Sequence, residues 1–174
     1  MKIDDKFKVF DNDLTTAFYD VQEYKKLFLG SNINNIILSN TAPNFFLKYQ
    51  RFFWNNIIQT IARFIDPPKK KKNKNLTIDI LYEIASTYNL ICSKDIHVRI
   101  RKIKDKISLL KIKKWRNKII RHRDAKYALK KDYRELSIKF DDVENILHDI
   151  GKCFNLVYGE LKKTTREWSI ITHG

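Results

Sequence analysis

Glycine and proline are scarce in this 174-residue chain, which has only four glycines and three prolines. A β-sandwich or β-barrel needs many tight turns, so the scarcity of these turn-forming residues favours long helices. The sequence has no apolar run near the roughly 20 residues of a membrane span, and its first residues lack the apolar core of a signal peptide. We therefore expect a cytoplasmic protein without a membrane partner.

Cysteine is equally rare. Cys92 and Cys153 are far apart, and neither belongs to a CxxC pair or to a set with metal-ligand spacing. We expect buried or idle reduced thiols, and we predict neither a metal site nor another cofactor.

Positive charge is what the sequence has in excess, with a formal net charge of +15. Residues 94–131 contain sixteen Lys/Arg and three Asp/Glu, so most of the excess lies in one segment. A compositional bias toward lysine would spread the positive charge more evenly along the chain. The alternative is a solvated run of charge without a function, which is common. The clustering favours a functional basic face for a polyanion, with nucleic acid preferred to an acidic membrane surface.

Apolar residues spaced three and four apart predict helices along most of the chain. The expected helices run from Asp11 or Asn12 to Gly30, Ser31 to Ala42, Pro43 to Ile65, Thr77 to Tyr88, Ser93 to Trp115 and Asp141 to Leu161. Residues 69–75 are expected to be a solvated loop, and residues 168–171 give an ambiguous strand signal. The predicted fold class is all-α, a bundle of about five to six helices forming one domain over residues 1–174.

Three local features carry more specific predictions. The helix after Pro43 has aromatic residues on most of its faces, so we expect it to be central in the bundle. Arg63 and Asp66 are expected to form an ion pair at the end of that helix, with contact to a substrate as the alternative. Asp141 and Glu144 have the spacing of a capping box for the last helix.

The richest cluster of reactive side chains lies at residues 115–124, which read WRNKIIRHRD. His122 can accept or donate a proton near neutrality, because the unperturbed pKa of histidine is about 6.5. Arg116 can hold a phosphate through its planar guanidinium, and Asn117 can orient a substrate oxygen or the imidazole. These residue types suit phosphodiester cleavage without a metal.

Arg116 and His122 are six residues apart, which places them about 120° apart around a regular helix. Either the helix bends or ends near this motif, or a second subunit supplies part of the site. The alternative interpretation makes His122 an ordinary surface histidine and pairs Arg116 with an acidic neighbour. Asp124 could fix the imidazole tautomer, or it could pair with Arg121 or Arg123.

The pattern Arg116-Asn117-x4-His122 resembles the R-x4–6-H signature of HEPN domains. The flanking stretches IARFIDP at 61–67, NLTI at 75–78 and HRD at 122–124 are similar to AbiU-type HEPN proteins of bacterial abortive infection, over roughly residues 17–161. The resemblance implies a HEPN-like helical bundle that homodimerises and places both motif copies in a cleft. Some HEPN toxins carry a modifiable tyrosine two residues after the histidine, where this chain has Asp124.

The resemblance further implies a metal-independent endoribonuclease toxin or antiphage protein that uses the RNA 2′-hydroxyl as its nucleophile. His122 would be the acid/base group, Arg116 the phosphate clamp and Asn117 the polar auxiliary, with Asp124 in support. RNA, a second copy of the chain and a candidate antitoxin are the implied partners. The neighbouring basic side chains are expected to contact RNA: Lys113, Lys114, Lys118, Arg121 and Arg123. The alternative function is a non-catalytic HEPN-like module that binds nucleic acid or protein through its basic face.

Overall fold

The computed structural model describes residues 3–67, 69–70, 73–117, 138–164 and 166. Within these ranges the chain forms seven helices and one minimal hairpin, which confirms the all-α class. The helices are α1 (Ile3–Phe28), α2 (Asn32–Thr41), α3 (Pro43–Phe64), α4 (Asp79–Thr87), α5 (Ser93–Leu109), α6 (Ile112–Trp115) and α7 (Phe140–Lys162). The ambiguous strand signal at 168–171 lies outside the described residues.

An antiparallel hairpin with two strands of two residues each replaces part of the loop expected at 69–75. Its strands are β1 (Lys69–Lys70) and β2 (Asn73–Lys74), and Lys69 pairs with Lys74. The Asn75 side-chain amide donates to the Pro67 carbonyl at 2.8 Å, which ties the hairpin back to the end of α3.

Helix α1 begins at Ile3, eight residues before the predicted start at Asp11. The predicted start at Asp11 is wrong, because Asp11 is a buried residue inside the helix and accepts a hydrogen bond from Arg166 Nη2 at 2.7 Å. The carboxylates of Asp4 and Asp5 lie in the first turn instead, where they offset the positive end of the helix dipole.

The apolar faces of α5 and α7 form much of the core, as their periodicity predicts. Every fourth or third residue on α5 is buried, at Ile96, Ile100, Ile103 and Ile107. The predicted capping box at the start of α7 is not formed. Asp141 lies one residue inside the helix, and Glu144 binds Lys25 Nζ at 2.8 Å.

Helix α3 is central only in its second half. Pro43 lies in its first turn, as predicted. The first buried residue is Phe53, whereas Phe45 and Phe52 are 61% and 70% exposed. Tyr49 reaches the ring of Phe28, where α1 ends, so the preceding turns of α3 extend beyond the core.

The end of α3 positions the candidate site. Ile78, just before α4, donates its backbone N–H to the Phe64 carbonyl at 2.7 Å, which holds the segment after α3 in place. Helix α6 packs against both α3 and α5. None of the described helices combines the length and apolar character needed to cross a membrane.

Candidate functional site

The predicted motif is only partly within the described residues. Arg116 and Asn117 are described, as are Lys113 and Lys114 on α6. The remaining predicted site residues lie outside the described ranges: Lys118, Arg121, His122, Arg123 and Asp124. The distance between Arg116 and His122 therefore stays untested, and so do the roles predicted for these five residues.

The backbone changes direction just before the motif. Lys111 has φ 56° and ψ 26°, a left-handed conformation that separates α5 from the single turn of α6. Ile112 is fully buried and anchors that turn, and a π-helical turn begins at Arg116. The basic helix expected to run without interruption to Trp115 is thus broken at Lys111. π-helical turns are frequent at functional sites, because the extra residue re-aims the side chains.

The side chain of Arg116 is anchored by two acceptors. Its Nη1 donates to both carboxylate oxygens of Asp66, at 2.8 Å and 2.7 Å, and its Nε donates to Asn117 Oδ1 at 3.2 Å. Arg116 is 6% exposed, so these bonds lie in a partly desolvated setting. The acidic neighbour considered for Arg116 is therefore Asp66, which lies 50 residues earlier in the sequence.

The ion pair expected between Arg63 and Asp66 is wrong. Arg63 lies on the exposed side of α3, where its Nη2 donates to Thr60 Oγ1 at 3.3 Å. Asp66 lies beyond the end of the helix, at 2.7 Å from Arg116 Nη1. Closeness in sequence favoured Arg63, but the chain leaves the helical path between these two residues.

Part of the Arg116 guanidinium stays available. Within the described residues Nη2 makes no hydrogen bond, and it is not among the buried polar atoms that lack a partner. Arginine has five N–H donors, so the two on Nη2 are not used within the described residues. Because Asp66 offsets its charge, Arg116 would meet a ligand as an oriented hydrogen-bond donor more than as a net cation.

Acidic partners neutralise part of the basic segment. Lys104 Nζ contacts Asp79 at 2.6 Å, Lys106 Nζ contacts Asp149 at 3.0 Å, and Arg99 Nε contacts Asp95 at 2.7 Å. The density of positive charge in the sequence thus overstates the charge that a ligand would meet on α5. Of the predicted RNA contacts that are described, Lys113 is half-buried and Lys114 is exposed.

A groove of about 400 Å³ lies between α5 and α7, and sequence reasoning missed it. Four basic and two acidic side chains line it. Among the described residues, Lys102 and Lys152 on opposite sides form no ion pair. Their spacing is set by the packing of two helices that are distant in sequence, so no local pattern could have revealed the groove.

The two thiols are buried and reduced, as expected. Burial raises the pKa of Cys153 to about 12. Burial, followed by contact with Glu160, raises the pKa of Cys92 to about 11. Such thiols are poor nucleophiles and poor metal ligands near neutral pH. In the described ranges, no three His, Cys, Asp or Glu residues are grouped closely enough to hold a metal ion.

The family model for AbiU2, a HEPN family, matches residues 2–173 of the chain. No curated protein and no solved structure matches the chain significantly. The matched region contains the whole Arg116-Asn117-x4-His122 motif and the Asp66 that binds its arginine. The resemblance found in the sequence is therefore confirmed, and the chain belongs to the AbiU2 family of abortive-infection HEPN proteins.

Proposed function

We propose that this protein is a metal-independent endoribonuclease of the HEPN type, acting as a toxin or antiphage abortive-infection protein. Its site combines Arg116, Asn117 and His122 from two copies of the chain. The carrying observation is the anchored guanidinium of Arg116, whose orientation Asp66 and Asn117 fix and whose Nη2 makes no hydrogen bond within the described residues. An oriented donor of this kind suits stabilisation of the charge that develops on a phosphoryl oxygen.

The proposed reaction is an internal displacement at phosphorus. The RNA 2′-oxygen attacks the adjacent phosphorus while His122 takes the 2′-hydroxyl proton, and the bond from phosphorus to the 5′-oxygen breaks. A proton delivered to that 5′-oxygen completes the step, and His122 of the partner subunit is the proposed donor. The products are a 2′,3′-cyclic phosphate and a free 5′-hydroxyl, so atoms and charges balance without an oxidant or a co-reactant.

The proposed homodimer addresses the helical geometry of the motif. Arg116 and His122 lie about 120° apart on a regular helix, so one straight helix does not assemble them. The break at Lys111 and the π-helical turn at Arg116 show that residues 111–117 do not follow one straight helix. A twofold axis beside this turn would bring both motif copies to one cleft. Light scattering should give twice the chain mass if the proposal is correct.

The second candidate is a non-catalytic module that binds nucleic acid or a partner protein. The burial of Arg116 and its pairing with Asp66 favour this reading, because a structural ion pair would account for both. In that case phosphate binding would fall steeply with salt and would survive the loss of His122.

Cleavage of a labelled RNA in excess EDTA distinguishes the two candidates. We expect His122→Ala to slow cleavage by about 10²–10⁴-fold, the range for loss of a general acid or base. His97→Ala is the matched control, because His97 is an exposed histidine on α5 without a proposed role. Equal cleavage by wild type and His122→Ala would overturn the site assignment, and RNA binding without any cleavage would favour the binding module.

A further inference from the structure

The exposed first half of α3 presents a surface that the proposed cleavage site does not use. We call it the aromatic-basic face, and it consists of Phe45, Lys48, Arg51 and Phe52. These four residues fall within about 120° of one side of the helix. Phe45 and Phe52 are 61% and 70% exposed, and both Lys48 and Arg51 are exposed as well.

No acidic residue lies near this face in the sequence. Residues 24–65 include five Lys/Arg and no Asp or Glu. Among the described residues, Lys48 and Arg51 form no ion pair, in contrast to Lys104 and Lys106 on α5, which acidic side chains neutralise. The positive charge on the aromatic-basic face is therefore available to an anionic ligand, although α3 carries fewer basic residues than α5.

The exposed ring of Phe45 is held in place from below. Phe45 stacks on Tyr49 with ring centroids 6.0 Å apart, and Tyr49 packs on the buried Phe53 at 5.5 Å. Phe53 in turn contacts Tyr24 of the core at 6.2 Å. Phe52 makes no ring contact within the described residues, so its ring is left for a ligand. An ordered exposed ring loses little freedom when a planar group stacks on it.

Single-stranded nucleic acid fits this combination best. Its phosphates can bind the basic side chains of the face, and its unpaired nucleobases can stack on aromatic rings that lie between cations. A second copy of the chain would bring Lys48 and Arg51 close to like charges across a twofold axis. A membrane surface favours helices whose apolar and basic faces are segregated, whereas here the two residue types alternate along one face.

We propose that the aromatic-basic face binds single-stranded RNA, with bases stacked on Phe45 and Phe52 and phosphates held by Lys48 and Arg51. Choosing RNA over DNA rests on the proposed ribonuclease function, but the binding itself does not require cleavage. The face selects unpaired over duplex RNA, because bases in a duplex are already stacked on each other.

Fluorescence anisotropy with labelled RNA tests the proposal, using the full chain with His122→Ala in every sample so that cleavage does not intervene. The probes are a single strand of mixed sequence and a duplex of the same length. We expect Phe45→Ala with Phe52→Ala to weaken single-strand binding about tenfold or more, and to leave duplex binding unchanged. We expect Lys48→Gln with Arg51→Gln to reduce the salt dependence of single-strand binding by about 1.4 in log–log slope.

The matched control is Ile91→Ala with Leu109→Ala, which removes two apolar side chains that are 95% and 80% exposed elsewhere. Circular dichroism confirms that each variant is folded. The proposal is overturned if the Phe45/Phe52 variant binds the single strand as tightly as its parent, or loses duplex binding equally. It is also overturned if the Phe45/Phe52 variant keeps its binding to the single strand but loses binding to phosphatidylserine vesicles. The same holds if that variant keeps RNA binding but no longer has the mass of a dimer. If the single strand binds through these rings but the wild-type protein never cleaves RNA, the proposed ribonuclease function is refuted and the proposed binding face is not.

Discussion

Replacing Asp66 with asparagine is expected to lower the free energy of unfolding by about 3 kcal/mol, because it leaves the Arg116 charge buried without a partner. The Arg116 and Asp66 side chains are 8% and 21% exposed, and their closest contact is 2.7 Å. At an effective dielectric constant near 20, two charges about 4 Å apart attract by roughly 4 kcal/mol. The asparagine oxygen can still accept one hydrogen bond, which reduces the expected loss.

Urea denaturation followed by circular dichroism measures this difference directly. The matched control is Asp95→Asn, which breaks the exposed pair with Arg99, whose side chains are 45% and 52% exposed. We expect that control to cost less than about 1 kcal/mol. The double variant Asp66→Leu with Arg116→Met should lie closer to wild type than Asp66→Asn, because no charge is left unpaired. If Asp66→Asn and Asp95→Asn unfold at the same urea concentration, the reasoning about burial is refuted.

Three further predictions concern stability and reactivity. Lys111→Gly should raise the free energy of unfolding by up to about 1 kcal/mol, because glycine adopts the left-handed conformation at φ 56° without strain; a lower urea midpoint would contradict this. Cys92 and Cys153 should react with a thiol reagent far more slowly in the native protein than in urea, because their pKa values are raised to about 11 and 12; fast native labelling of either would be the contrary result. Burial acts to raise the pKa of Glu160, but hydrogen bonds from Cys92 and from the backbone of Ile91 and Cys92 outweigh it and lower that pKa below 4.5. A lowered carboxyl pKa gives stability that is present above pH 4.5 and lost as pH falls through the folded-state pKa, so Glu160→Gln should reduce the acid sensitivity of thermal unfolding.

Periodic apolar residues predicted most of the architecture because they act locally. The four buried isoleucines of α5 repeat at helical spacing, and no distant partner is needed to interpret them. Pro43 likewise marks the first turn of α3 through its own ring and missing N–H. Where burial depends on the rest of the bundle, the prediction failed. Phe45 and Phe53 are the same residue type on one helix, yet only Phe53 is covered by neighbouring elements.

The polar residues were misassigned where their partners are remote in sequence. Asp11 has the character of a helix cap, but Arg166 binds it from 155 residues away. Asp66 follows Arg63 closely, yet its carboxylate contacts Arg116. A short-range pattern can suggest only partners that are near in sequence. In the folded chain, a side chain can contact residues from any part of the sequence. The motif itself was identified because its residue types and spacing are local, while the anchoring of its arginine was not.

The Asp66–Arg116 pair also ties the candidate site to the folding of the segment between residues 66 and 116. Closing a loop of 50 residues costs roughly 3.5 kcal/mol in chain entropy, which is more than the roughly 1 kcal/mol that an ion pair contributes in a solvated, unfolded chain. The pair therefore cannot form unless α4, α5 and α6 are folded between its two ends. A single proteolytic cut in that segment would remove the covalent connection, and the packing of α6 against α3 and α5 would then have to hold Arg116 at Asp66. The orientation of Arg116 thus depends on the folding of this segment as well as on the motif itself.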